Sequence, residues 1–164
     1  MKYGQMRKFD VANGEGIRTS LFVTGCTHKC PDCFNEEYQD FSAGMDWDEQ
    51  AEAQLLEYVK NPHVVGLTLL GGEPMQNTEG LIPVARRVKA ETEKTIWIYS
   101  GYTWEQIMDH ADMKELLSYA DVLVDGRFEK ELKDLTLLFR GSSNQRVIDV
   151  QKSLAQNEIV HYLK

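Results

Sequence analysis

The sequence predicts an α/β fold, because apolar strands alternate with amphipathic helices along the chain. Residues 19–24 and 64–70 are almost continuously apolar, which is typical of strands buried on both faces of a parallel sheet. Residues 46–60, between them, carry acids in the first turns and apolar side chains at helical spacing. At 164 residues the chain is too short for a closed eight-stranded barrel, which takes about 250. A partial barrel or an open α/β sheet remains.

The elements follow in order from these patterns. The strand over 19–24 runs directly into a group of cysteines, and the helix over 46–60 is stopped by Asn61-Pro62. The strand over 64–70 ends in Gly71-Gly72-Glu73-Pro74. We predict the remaining elements as a helix over 81–93, a strand over 95–100, one or two helices over 103–119 opened by a Thr103/Gln106 capping box, and strands over 121–124 and 135–139. Residues 146–150 and 158–163 are apolar enough for short strands or edge elements.

Unusual residues occur where the predicted strands end. In both candidate architectures, ligands lie beyond the carboxyl ends of the strands. The predicted strand ends therefore converge on one mouth, and they carry residues 26–33, 71–74, 100–101, 125–126 and 140–144.

Charge and hydropathy exclude several classes of function. The net charge is -8, with no block of Lys and Arg that could neutralise a run of phosphates, so we expect no nucleic-acid partner. Apolar stretches such as 64–70 are far shorter than the ~20 residues of a membrane span, and the N-terminus lacks the apolar region of a secretory signal. We therefore expect a cytoplasmic protein without a membrane partner.

The three cysteines, Cys26, Cys30 and Cys33, all lie on one short segment. An odd number packed this tightly does not make a disulfide framework. Three thiolates at this spacing are instead suited to a metal or an iron-sulfur cluster. An ordinary [4Fe-4S] cluster takes four cysteines, so three would leave one iron open to a substrate.

Two alternatives use the same thiols differently. The first is a structural zinc site with His28, His63 or His110 as fourth ligand. Such sites usually pair two ligand groups from separate parts of the sequence, whereas here all three thiols share one loop. The second, a lone catalytic thiol, does not require neighbours at this spacing.

The cysteine spacing Cys26-x3-Cys30-x2-Cys33, after a strand and before a Gly-Gly-Glu-Pro at the next strand end, resembles the radical S-adenosylmethionine superfamily. Within it, residues 14–35 (GEGIRTSLFVTGCTHKCPDCFN) resemble the activating enzymes of glycyl-radical enzymes. The segments WIYSGYTWEQ, VLVDGRF and RGSSNQ extend a resemblance to activating proteins of anaerobic ribonucleoside-triphosphate reductases over nearly the whole chain.

The resemblance implies one radical S-adenosylmethionine domain over residues 1–164, built as a partial (β/α) barrel of about five to six parallel strands. It implies one [4Fe-4S] cluster on Cys26, Cys30 and Cys33, whose fourth iron is chelated by S-adenosylmethionine. The expected activity is reductive cleavage of S-adenosylmethionine to a 5'-deoxyadenosyl radical, which generates the glycyl radical of an anaerobic ribonucleoside-triphosphate reductase. Since further cysteines are missing, electrons must come from an external donor such as flavodoxin or ferredoxin.

The resemblance also assigns cofactor contacts. It places Gly71, Gly72 and Glu73 near the methionine amino group, although this segment could also be a plain turn. It places Asp32, Cys33 and Phe34 against the adenine and the cluster, although Phe34 could equally be a core aromatic.

Other strand-end residues have two interpretations each. Asp125 either positions the ligand near its carboxylate or belongs to a common Asp-Gly turn. The segment with Arg140, Ser142, Ser143 and Asn144 either holds the carboxylate or ribose, meets the partner's glycine loop, or is a solvated turn. We expect His28 and Lys29 to be exposed, and the sequence assigns no role to Gly14, Gly16 or Arg18.

Two rival functions remain. One is a small-molecule radical S-adenosylmethionine enzyme, such as a deazaguanine synthase, although a mouth built from so few units is too open to enclose a small substrate. The other is a zinc-stabilised interaction module, which would be colourless and indifferent to S-adenosylmethionine.

Overall fold

A computed structural model describes residues 1–28 and 36–163, and its centre is one mixed sheet. The eight strands of this sheet, in spatial order, are β3, β1, β2, β4, β5, β6, β7 and β8. Their bounds are β1 Lys2–Asp10, β2 Arg18–Val23, β3 Met45–Asp46, β4 Gly66–Gly71, β5 Thr95–Tyr99, β6 Val122–Asp125, β7 Arg146–Asp149 and β8 His161–Leu163.

The centre of the sheet is parallel and its flanks are antiparallel. β2, β4, β5 and β6 pair in parallel, β1 lies antiparallel to β2, and β7 and β8 extend the other side in antiparallel register. Within the described ranges, four strands are therefore mutually parallel, fewer than the five to six expected. Curvature of this sheet into a partial barrel stays a prediction.

Helices cover one face of the sheet. They are α1 Glu49–Val59, α2 Thr78–Glu91, α3 Trp104–Met108, α4 Ala111–Ser118 and α5 Val150–Gln156. Their apolar sides pack on alternate strand residues in the main core, among them Leu21, Leu69, Ile98 and Leu123. The residues between these, such as Leu70 and Val124, belong to smaller clusters on the opposite face. Loops cover that opposite face of the sheet, and a cavity lies between them and the strands.

Most predicted elements are present, with shifted ends. The strands predicted over 19–24, 64–70, 95–100 and 121–124 correspond to β2, β4, β5 and β6, and the tail segments contain β7 and β8. The region 103–119 forms two helices, and the Thr103/Gln106 capping box opens the first of them. The sequence analysis missed β1, β3 and α5.

The strand predicted over 135–139 is wrong. This segment is a chain of turns and bends, and Phe139 has a left-handed backbone with φ of 64°. Leu135 and Leu138 are 78% and 67% exposed, so the apolar run does not enter the sheet. Apolar sequence alone did not distinguish a buried strand from a loop lying over a cavity.

Among the helices of the described residues, none has the length and apolar character needed to span a bilayer.

Candidate functional site

A cavity of about 540 Å³ lies on the loop-covered face, beside the carboxyl ends of β4, β5 and β6. Its wall includes Cys26, Gly71, Gly72 and Glu73, so the structure brings these four predicted site residues together. The volume is within the usual range of small-molecule sites, about 300–1,000 Å³. Cys30, Cys33, Asp32 and Phe34 fall outside the described residues.

The double glycine lets the end of β4 press against the loop after β2. Gly71 has φ of +106°, a conformation that side chains rarely adopt. A Cβ at Gly72 would lie 2.5 Å from the Tyr38 carbonyl oxygen and 2.6 Å from that of Gly25. The two glycines therefore serve close approach of backbone to backbone, and they leave Glu73 next to Gly25 and His28.

Glu73 is a buried carboxylate, 1% exposed, that accepts four hydrogen bonds. Oε1 accepts from the Gly101 N–H at 2.7 Å and lies 2.8 Å from His28 Nε2. Oε2 accepts from the Met75 N–H at 2.9 Å and from Ser100 Oγ at 2.8 Å. Its side chain thus joins the ends of β4 and β5 to the segment that carries the first cysteine.

His28 points into the protein, and the expectation that it is exposed is wrong. Its side chain is 4% exposed. Arg127 Nε donates to Nδ1 at 3.1 Å, so Nε2 carries the hydrogen that Glu73 accepts. The ring stands edge-on to Tyr102, with ring centroids 4.6 Å apart. Lys29 lies outside the described residues.

The backbone around Cys26 is held by further hydrogen bonds. The Cys26 N–H donates to the Gln39 carbonyl at 3.0 Å, and the Thr27 N–H donates to Gln76 Oε1 at 3.1 Å. Gln76 Nε2 in turn donates to Thr27 Oγ1. The first thiol is therefore carried on a backbone that is hydrogen-bonded to two neighbouring segments.

Asp125 lies at the end of β6 but is not part of the cavity wall, which instead includes its neighbours Val124 and Gly126. Its carboxylate accepts from the Trp104 N–H at 2.8 Å and from Arg146. Arg146 also binds Glu105. The charge of Asp125 is thus directed at Arg146 and away from the cavity.

The segment after the misassigned strand forms one side of the cavity. Arg140 lines it, and one guanidinium nitrogen donates to the Gln145 carbonyl at 2.8 Å. Ser142 is fully buried and accepts from the Glu129 N–H, while Asn144 donates to the Arg127 carbonyl. Of the residues predicted on this segment, Arg140 is the one placed to meet a ligand in the cavity.

Polar side chains lie under the loop-covered face, where the sequence analysis assigned no role. Arg18 is fully buried, and its guanidinium donates to Thr68 Oγ1 and to two backbone carbonyls of the sheet. Burial lowers the pKa of Arg18 to about 10. Tyr99 lines the cavity, and burial raises the pKa of its hydroxyl, which has no hydrogen-bond partner among the described residues. No local sequence signal identified this layer.

Cys26 lines the cavity as a candidate cluster ligand, whereas neither His28 nor His63 is placed as a fourth zinc ligand beside it. A thiol stands in the wall of a cavity that also presents backbone and an arginine, and thiolate is a ligand that iron-sulfur clusters require. His28 is engaged by Glu73 and Arg127, and His63 precedes β4, at the opposite end of the parallel strands from Cys26.

Comparisons with known proteins identify the family of this chain. Residues 12–148 match the family model of a 4Fe-4S single cluster domain. An anaerobic ribonucleoside-triphosphate reductase-activating protein from Pasteurella multocida is 43% identical over 88% of this chain and 95% of its own. Proteins of the same name from Escherichia coli K12 and Enterobacteria phage T4 are 36% and 39% identical, each over 90% of this chain, and over 97% and 93% of their own. The chain therefore belongs to the family of anaerobic ribonucleoside-triphosphate reductase-activating proteins.

Proposed function

We propose that this chain activates an anaerobic ribonucleoside-triphosphate reductase by generating a glycyl radical on it, with a [4Fe-4S] cluster and S-adenosylmethionine as cofactors. The observation that carries the proposal is the meeting of Cys26 with Gly71, Gly72 and Glu73 at one cavity, in a chain of this family. We place the protein in the cytoplasm, as one domain whose open sheet is a partial barrel. One-sided helix cover is the arrangement of (β/α) barrels, which supports this assignment.

Cys26, Cys30 and Cys33 are the proposed cluster ligands. Three thiolates would leave one iron for the amino and carboxylate groups of S-adenosylmethionine, and Asp32, Cys33 and Phe34 would contact the adenine and the cluster. When bound, the cluster and S-adenosylmethionine supply one-electron cleavage of a sulfonium C–S bond, which yields methionine and a radical able to take a hydrogen atom from glycine.

The chain's own residues bind, orient and exclude water. The backbone of Gly71 and Gly72 forms part of the cavity wall, and Arg140 provides a positive charge for a carboxylate. Leu70, Tyr99 and Val124 give the cavity an apolar wall, which keeps water from a reactive species. Asp125 contributes by fixing Arg146 and α3 behind that wall.

The proposed substrate is a segment of another protein. Leu135 and Leu137 line the cavity, and Leu135 is largely exposed, so the mouth is not closed by the described residues. An open mouth suits a peptide loop better than a small molecule. The electron donor in this proposal is an external protein such as flavodoxin or ferredoxin.

The test is electron paramagnetic resonance of anaerobically reconstituted, reduced protein with and without S-adenosylmethionine. We expect a reduced [4Fe-4S] signal that changes when S-adenosylmethionine is added, and 5'-deoxyadenosine plus a glycyl radical when the cognate reductase is present. A Cys26→Ala variant should lose the signal, whereas a Met45→Ala variant, altered at an exposed edge strand, should keep it.

A colourless protein that binds one zinc would refute the proposal in favour of an interaction module. A normal cluster response with 5'-deoxyadenosine formed but no radical on the cognate reductase would refute the proposed substrate and favour a small-molecule enzyme.

A further inference from the structure

We infer that His28 is a positioning residue that fixes residues 25–28, where the cysteine segment begins, over the ends of β4, β5 and β6, through its hydrogen bonds to Glu73 and Arg127. The inference rests on the proposed function, because its purpose is to set the cluster ligands against the cavity. It concerns a residue that is itself no proposed ligand of the cluster.

The contacts of His28 join four strand ends. The residue follows β2 by a few positions, Glu73 follows β4, Gly101 follows β5 and Arg127 follows β6. Nε2 donates to Glu73 at 2.8 Å and Nδ1 accepts from Arg127 at 3.1 Å, so both ring nitrogens have partners. A side chain with one polar atom could not make both bonds.

The site is shaped for a ring at this position. A Cβ at Gly101 would lie 2.6 Å from His28 Cδ2, so the ring occupies the space that a larger residue at 101 would need. Tyr102 packs against the ring in a T-shaped contact, with planes at 71°. Tyr102 also receives a hydrogen bond from Gln76, the residue that holds Thr27. The imidazole ring is thus packed between Gly101 and Tyr102.

The position of His28 within the cysteine segment makes this contact consequential. It lies two residues after Cys26 and two before Cys30. The Gln39 carbonyl and Gln76 hold Cys26 and Thr27, and His28 extends that attachment to the last described residue before the remaining cysteines. Losing the imidazole would release residues 25–28 from the strand ends, although the chain would still contain all three cysteines.

The test compares His28→Ala, His28→Gln and His28→Asn with an exposed control, His63→Ala. Glutamine places an amide N–H where Nε2 lies, so it can still donate to Glu73. Asparagine reaches only the Nδ1 position, where Arg127 already donates, so it cannot replace the bond. If His28→Ala does not fold, His28→Gln and His28→Asn form the comparison by themselves.

The first measurement is amide hydrogen exchange of residues 25–28 in the metal-free, reduced protein. We expect exchange about tenfold faster in His28→Ala and His28→Asn, with His28→Gln and His63→Ala close to the wild type. The second is the paramagnetic resonance spectrum after reconstitution, in which His28→Ala and His28→Asn should bind less iron and show a weakened response to S-adenosylmethionine, while His28→Gln recovers it.

Wild-type exchange at 25–28 and a wild-type response in His28→Ala would overturn the inference. So would a uniform loss of stability in which all three His28 variants have the wild-type spectrum. If the wild type itself gives no cluster, the proposed function fails, whereas the exchange data still decide whether His28 holds the segment.

Discussion

The ends of β4 and β6 each bury an acidic side chain, but different partners stabilise the two carboxylates. Each strand ends in an acid that is 1% exposed, Glu73 after β4 and Asp125 at the end of β6. Asp125 is paired with the guanidinium of Arg146, while Glu73, within residues 1–28 and 36–163, accepts from N–H groups and a hydroxyl and from no Arg or Lys.

The difference separates a structural acid from one that organises a site. An ion pair satisfies the charge of Asp125 within one corner of the fold, where β6, β7 and α3 meet. Glu73 collects its donors from three different segments, so its charge is stabilised only when those segments are together. A buried acid at equivalent strand ends therefore stabilises the fold at β6 and joins residues 25–28 to the sheet at β4.

The largest expected effect is at Asp125. Asp125→Ala leaves Arg146 without its buried partner and the Trp104 N–H without its acceptor, so we expect a loss of about 3 kcal/mol in the free energy of unfolding. Urea denaturation of the metal-free protein measures it. Hydrogen exchange of residues 25–28 should remain as in the wild type under conditions where the variant is folded. Faster exchange there would show that the two strand ends are coupled.

Glu73→Gln should cost about 2 kcal/mol, less than Asp125→Ala, and should act on the site as well as on stability. The amide nitrogen would face two of the four groups that now donate, so two hydrogen bonds are lost. We expect faster exchange at 25–28 in urea-free buffer and a weakened response of the reconstituted cluster to S-adenosylmethionine. A variant that loses stability but keeps both site properties would place Glu73 with Asp125 as a structural acid.

The sequence predicted which residues lie at the strand ends, but it did not predict the side-chain contacts between residues that are distant in the chain. The positions of Cys26 and Gly71 to Glu73 follow from local motifs and from the rule that parallel strands share one carboxyl edge. The burial of His28 does not, because its partner is 45 residues away in the chain.

The errors in the fold have related causes. β1 has a mixed polar and apolar pattern, since it lies near the edge of the sheet and is antiparallel, so it lacks the continuous apolar run of the central strands. The segment 135–139 has that run but serves as a wall of the cavity. In both cases tertiary position outweighed local pattern.

Gly101→Ala tests the His28 contact at the β4 and β5 ends by adding a single methyl group. Its Cβ would lie within 2.6 Å of the His28 ring, which must move away from Glu73. We expect a loss of about 1 kcal/mol and exchange at 25–28 faster than in the wild type, as in His28→Ala. Gly80→Ala is the control, because a Cβ there, within α2, would meet the flexible side chain of Met1 and not the site. Equal exchange at 25–28 in both variants would contradict the assigned contact.

The smallest effect is the pH dependence of the ion pair between Glu105 on α3 and Arg146 on β7, next to the end of β6. The hydrogen bond from Arg146 lowers the pKa of Glu105 from its ordinary 4.5. A lowered pKa in the folded state contributes stability above the unfolded pKa, and this contribution is lost as pH falls through the folded pKa.

Because Glu105 is largely exposed, Glu105→Gln should cost only about 0.5 kcal/mol at pH 7. The difference from wild type, measured by urea denaturation between pH 7 and pH 3, should shrink toward zero at the acid end. A difference that persists at pH 3 would mean that packing of Glu105, and not its charge, supports this corner. Glu105 and Arg146 make no hydrogen bond to Glu73 in the part of the chain that the structure describes, so Glu105→Gln should leave exchange at 25–28 unchanged at every pH in this range.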